Sequence, residues 1–123
     1  MYTNSDWLIQ TRISNNNAMA LSFGAGNGEF GYTFFIDADG YFAVYDEGNS
    51  QEASVALIDW TTTNTIRSTW NDLEIEQTGN TWTGYINGTE VFRMAARPMF
   101  GDRVGYSVVH NTTGYAEYLT VKW

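Results

Sequence analysis

The chain has 123 residues, which is enough for one domain with its own core, so the expectation is a single domain over residues 1–123. It has no cysteine, a formal charge of −8 and a single lysine, Lys122. That excludes a disulfide framework and thiolate catalysis, and it argues against nucleic acid and anionic membrane surfaces as partners.

The predicted elements are strands. Trp7, Ile9, Thr11 and Ile13 alternate along the first one, and Asn15-Asn16-Asn17 breaks it. Met19, Leu21 and Phe23 alternate next and end at the glycine cluster Gly24 to Gly28. Tyr32, Phe34 and Ile36 share one face of the third strand, with Thr33 and Phe35 on the other. Ala38-Asp39-Gly40 then reads as a three-residue hairpin loop, a type I turn closed by a glycine bulge. Its register opposes Asp37 with Tyr41, Phe35 with Ala43 and Thr33 with Tyr45. On the other face Ile36 meets Phe42 and Phe34 meets Val44. The second set is wholly apolar and is therefore the buried one.

Val55 to Trp60 is a further strand, followed by a polar loop from Thr61 to Thr69 with one apolar anchor, Ile66. Leu73, Ile75 and Gln77 alternate against Asp72, Glu74 and Glu76. Gly79-Asn80 turns the chain, and Trp82, Gly84 and Ile86 lead into Asn87-Gly88. Asn-Gly is a strong signal for a two-residue type I′ hairpin, because both turn positions need positive φ. The expected register pairs Ile86 with Thr89, Gly84 with Val91, Tyr85 with Glu90 and Thr83 with Phe92. Asn87-Gly88-Thr89 also fits a glycosylation sequon, as does Asn111-Thr112-Thr113. The turn explains both Asn87 and Gly88, and the sequon explains Asn87 alone. Val104, Tyr106 and Val108 form a late strand, and Leu119, Val121 and Trp123 fall in step at the end.

No window carries an apolar helical stripe. No apolar run approaches the ~18 residues of a membrane helix, so membrane insertion is not expected. The first ten residues lack the basic and apolar regions of a secretory leader. About ten short strands separated by turn signals predict an antiparallel sandwich or barrel.

The order of these features carries a resemblance. It runs from a Tyr-rich strand and Asp-Gly turn to a short strand ending in Trp60, then Asn71-Asp72-Leu73-Glu74-Ile75, Tyr85-Ile86-Asn87-Gly88 and Gly101-Asp102-Arg103-Val104-Gly105-Tyr106. This resembles the concanavalin A-like lectin/glucanase superfamily, above all its laminin G-like and glycosyl-hydrolase-associated jelly-roll domains. The resemblance spans Asp6 to Trp123. It implies an all-β antiparallel jelly-roll sandwich, a glycan or polysaccharide partner, and an extracellular or cell-surface setting. It also implies a strand upstream of Trp7, for which this chain has almost no residues. The expectation is that either the domain is cut from a longer protein or one sheet edge lacks a strand, an open edge through which copies of the chain could pair.

Several constellations are candidates for chemistry. Phe35, Tyr41, Tyr45, Tyr85, Phe92 and Glu90 all fall on the non-core faces of their hairpins in the expected registers. If those faces form one concave surface, they make an aromatic platform for stacking sugar rings, with Thr33 and Thr83 beside them. The alternative is a face covered by a loop or another chain. Trp7, Phe34, Phe42, Trp82 and Trp123 are assigned to the core. Glu74 and Glu76 lie about 7 Å apart on one strand face, a separation that glycoside hydrolysis allows. The third carboxylate of the resembling glucanases is missing, so a solvated face is the simpler reading and a non-catalytic module is favoured over a hydrolase. Asp37-Ala38-Asp39-Gly40 suits either its turn or part of a calcium rim, since the laminin G-like relatives often bind calcium at a sheet edge. His110, the only histidine, stands at a strand end without a recognisable catalytic partner.

Overall fold

The computed structural model describes residues 6–49 and 54–123. Among them are ten strands and no helix. In chain order they are β1 (Trp7–Asn15), β2 (Ala18–Ala25), β3 (Glu29–Asp37), β4 (Tyr41–Asn49), β5 (Val55–Thr62), β6 (Trp70–Thr78), β7 (Thr81–Ile86), β8 (Thr89–Ala95), β9 (Arg103–Val108) and β10 (Gly114–Lys122). They form two antiparallel five-stranded sheets. One has the order β10-β1-β6-β7-β8 and the other β5-β4-β3-β2-β9. The fold is an all-β jelly-roll sandwich; the alternation and turn spacing predict a sandwich or barrel, and the resemblance implies the jelly roll.

Alternation builds the core directly. From the first sheet Trp7, Ile9, Ile13, Leu73, Ile75, Trp82 and Ile86 point inward. They meet Met19, Leu21, Phe23, Tyr32, Phe34, Ile36, Phe42 and Val44 from the second. Each fully buried large side chain contributes roughly 1.5–3 kcal/mol. Trp82 packs edge-on against Phe23 and Tyr32, with ring centroids 5.1 and 5.0 Å away. Its indole N–H is satisfied inside the core by Gln77 Oε1 at 3.0 Å. That bond explains an amide on the buried face of β6.

Both hairpins form where expected. Gly40 has φ +94° and donates its N–H to Asp37 O at 3.0 Å, closing the β3–β4 turn in the expected register. Asn87 and Gly88 have φ +52° and +83°, the type I′ pattern. The Asn87 side chain is also a structural bridge. Its amide donates to Thr65 O and Asn71 Oδ1, each at 2.8 Å, and its oxygen accepts the Asp72 N–H at 2.8 Å. The amide that a glycan would occupy is thus already committed to holding the Thr61–Thr69 loop, whose Ile66 packs on the core.

Two expectations about faces are corrected. Beyond Tyr85–Glu90 the β7–β8 register slips, so that Gly84 opposes Phe92 and Thr83 opposes Arg93. The extra residue is Val91, and it turns Phe92 inward, where it is 6% exposed and stands edge-on to Phe34 at 5.1 Å. Trp123 is 73% exposed rather than in the core, because it lies one residue beyond the end of β10. β1 lies inside its sheet, paired on both sides by β10 and β6. The segment expected upstream of Trp7 falls, apart from Asp6, outside the described residues.

Candidate functional site

The outer face of the β5-β4-β3-β2-β9 sheet has an unusual floor. Phe35 on β3 is flanked directly by Ala20 on β2 and Ala43 on β4. Small residues on both neighbouring strands leave a trough, and Ala18, Ala20, Phe35 and Ala43 are buried in it although they face away from the main core. Tyr45 packs onto this cluster. Phe35 and Tyr45 meet edge-on, 6.0 Å apart at 89°.

Trp60 completes the group. The β4–β5 register slips twice, between Phe42 and Val44 and between Val44 and Tyr45, with the extra residues in β5. These irregularities set the indole on the same face as Phe35 and Tyr45, at centroid distances of 5.7 and 6.4 Å. Bulges commonly re-aim a side chain in this way at functional sites. Phe35, Tyr45 and Trp60 wall a shallow depression of about 280 Å³ with Glu47, Ser54 and Val109. Glu47 and Ser54 also line a second depression, of about 310 Å³, with Phe30, Thr33 and Ser107. The Glu47 carboxylate accepts the Thr33 hydroxyl at 3.1 Å, and its other oxygen accepts the Ser54 hydroxyl. Two short donors thus hold one carboxylate at the junction of the two depressions. Ser107 is paired with Ser22 at 2.8 Å beside it.

Of the six residues expected on one platform, the structure brings Phe35 and Tyr45 together. Tyr41 shares their strand face but stands at the start of β4 opposite Thr62, 39% exposed, and lines neither depression. Tyr85 and Glu90 lie on the outer face of the other sheet, so the two hairpins present their outward residues on opposite sides of the sandwich. Phe92 is in the core. Sequence reasoning did not place Trp60, Glu47 or Ser54 at the site. The unbroken apolar run Val55 to Ile58 ahead of Trp60 was the available sign that β5 does not alternate simply.

The opposite face holds a different chemistry. Tyr85 and Tyr118 border a groove with Gln10, Asp72 and Glu74. Its carboxylates are engaged: Glu74 accepts the Gln10 amide at 2.7 Å and Glu76 accepts the Tyr85 hydroxyl at 3.0 Å. Arg12 forks onto Asp72 at 2.8 and 3.4 Å and holds that carboxyl below the usual range. The hydrogen bond to Glu76 pushes the Tyr85 phenol up. Asp37 caps its own turn, accepting the Asp39 N–H at 2.6 Å. Among the described residues no group of three or more His, Cys, Asp and Glu side chains surrounds a common point. His110 is exposed in the turn that follows β9.

No protein-family model matches the chain, and no curated protein sequence does. Solved structures match over nearly its whole length. The carbohydrate binding module CBM66 from Bacillus subtilis aligns with a TM-score of 0.77 and 20% identity, over 97% of this chain and 76% of that one. Sheep galectin-11, solved with glycerol, aligns at 0.72 and 10% identity, over 99% and 93%. A tetrameric galectin from the ball sponge Cinachyrella sp. aligns at 0.72 and 13% identity, over 98% and 93%. These likenesses show the fold alone, a jelly-roll β-sandwich, which is the fold that the resemblance carried by the sequence motifs implies.

Proposed function

We propose that this chain is a non-catalytic glycan-binding module and that its site is the aromatic trough on β3, β4 and β5. The observation that carries this reading is the contact between Phe35, Tyr45 and Trp60 directly beside the Glu47 carboxylate. A sugar offers an apolar C–H face and a ring of hydroxyls. The Tyr45 and Trp60 rings supply the stacking surface over the buried Phe35, and the carboxylate accepts hydroxyl protons in charge-assisted hydrogen bonds. A fold shared with a carbohydrate binding module and galectins supports the reading by analogy. An extracellular or cell-surface setting, where polysaccharide is met, goes with it.

The other reading of the sequence, assembly through a sheet edge, is opposed by irregular strands. Of the four edge strands, β10, β8 and β5 each gain at least one extra residue and β9 meets β2 through a register slip, devices that discourage edge pairing.

The test is a glycan-array screen of the purified domain with calcium and with chelator, repeated on Trp60→Ala and Tyr85→Ala. The expected result is binding that falls at least about tenfold in Trp60→Ala, with the melting temperature little changed, and persists in Tyr85→Ala. Loss of binding with chelator would make binding metal-dependent, and Asp37→Asn would then test whether the Asp37–Asp39 turn holds the calcium. Binding that survives Trp60→Ala unchanged would remove the trough as the site.

A further inference from the structure

We infer that Glu47 sets the specificity of this face and selects an uncharged glycan at least two sugar residues long. The inference rests on the glycan-binding reading and deepens it.

The two depressions are neighbours with shared walls, since Glu47 and Ser54 line both. Each is near the lower bound, roughly 300 Å³, of cavities that hold a small molecule. One therefore suits a single sugar ring, and the pair suits two. Their chemistry differs. The first offers Tyr45 and Trp60 for stacking, above the buried Phe35 that supports them. The second offers the exposed edge of Phe30 beside the Ser107 hydroxyl, which is paired with Ser22, over a buried Thr33 that is engaged with Glu47. Phe30 reaches this face at an irregular point of β3, where Gly31 has φ +75°. A Cβ at Gly31 would stand 2.6 Å from the Phe23 carbonyl oxygen, so the backbone there requires glycine. A ligand filling both depressions lays its linkage across Glu47.

Charge then decides what kind of ligand fits. Among the described residues no Lys, Arg or His lines either depression, and Glu47 is the one ionisable carboxylate that does. Arg97, which reaches toward β4, is engaged with Asp46 at 3.2 Å. A uronate, sialate or sulfate placed in either half would meet the Glu47 anion with no cation to offset it. A neutral sugar instead donates its hydroxyls to that carboxylate. Thr33 and Ser54 already fix the carboxylate in position, so little ordering is needed when the sugar arrives.

The experiment is titration calorimetry of the wild-type domain and Glu47→Gln. The probes are the neutral oligosaccharide series retained on the array, graded from its monosaccharide upward, and the sialylated, uronate and sulfated counterparts. Glu47→Gln keeps the size and one acceptor oxygen while removing the charge, and a thermal melt checks that it folds. The expected wild-type pattern is a gain of at least about tenfold from monosaccharide to disaccharide and acidic forms bound at least about tenfold more weakly than their neutral counterparts. Glu47→Gln is expected to weaken neutral binding and to narrow the neutral-to-acidic ratio by about tenfold or more. Equal affinity for monosaccharide and longer chains would overturn the two-residue claim. An unchanged ratio in Glu47→Gln, or wild-type binding of acidic glycans as tight as that of the neutral ones, would overturn the charge claim. In each of these cases glycan binding that is lost in Trp60→Ala leaves the parent reading standing. Binding of no glycan, or binding indifferent to Trp60→Ala, overturns both together.

Discussion

At the scale of single residues, Gly84 shows how a missing side chain decides where another one goes. The Phe92 ring lies over Gly84, and a Cβ there would be 2.0 Å from the ring. The ring has no space to retreat, since Phe34 stands edge-on to it and Phe42 is stacked on it at 6.3 Å and 17°. Gly84→Ala is expected to lower stability by about 1–3 kcal/mol, the usual range for overpacking, read as a lower urea midpoint. Gly84→Ala/Phe92→Leu should recover part of that loss, and an additive double variant would refute the contact. This glycine was also the one sign in the sequence that the outward assignment of Phe92 was unsafe, because glycine inside a strand marks close approach or a bulge. On the opposite face, Asp72 stands directly across from Arg12 and its carboxyl is depressed chiefly by the hydrogen bond from that guanidinium. A depressed carboxyl stabilises the fold above its unfolded pKa and loses that contribution as pH falls through the folded one. Asp72→Asn should therefore be less stable than wild type at neutral pH. The gap should close on acidification below the ordinary value of 3.8. Urea midpoints across that range check it, and a gap independent of pH would assign the loss to packing.

At the scale of elements, regular strands were legible and irregular ones were not. β1, β2, β3 and β6 alternate without interruption through their core residues, and their inward faces follow from period two alone. The β3–β4 register follows from the Gly40 turn. β5 and β8 each gain residues against their partners, and every face assigned downstream of an extra residue inverts. That is why Phe92 was placed outside and Trp60 was passed over, although both are large aromatics in plain view. The same irregularities govern association. In β10 the extra residue is Glu117, between Tyr118 and Ala116, and the strand also carries Lys122. Bulges and charged side chains on edge strands discourage pairing with a second chain. Analytical ultracentrifugation is expected to return the monomer mass over a wide concentration range. A mass that rises with concentration and reverts on Lys122→Pro would restore edge pairing through β10.

At the scale of the whole molecule, sequence periodicity separates inside from outside but does not say which outside faces coincide. Tyr45 and Tyr85 read identically along their strands, yet they belong to different sheets and point to opposite sides. Only the sheet order separates them, and sheet order depends on pairings far apart in the chain, such as β1 with β10. The separation has an electrostatic consequence. The chain carries a net charge of −8, and its field reaches any ligand approaching either face. A neutral glycan on the Phe35–Tyr45–Trp60 trough feels little of that field. Its affinity should change by less than about twofold between low and high salt, because screening acts on charge pairs and here the ligand has none. An acidic glycan is repelled by both the global field and Glu47. The Debye length falls from roughly 30 Å at 0.01 M to roughly 3 Å at 1 M, so its weak binding should strengthen as salt is added. Glu47→Gln removes the local part of that repulsion and leaves the global part, so it should raise acidic binding at every salt concentration while keeping the upward trend. Calorimetric titrations at the two salt extremes separate these contributions. Neutral affinity that collapses in high salt would mean that a charged contact, rather than stacking and hydroxyl donation, holds the ligand.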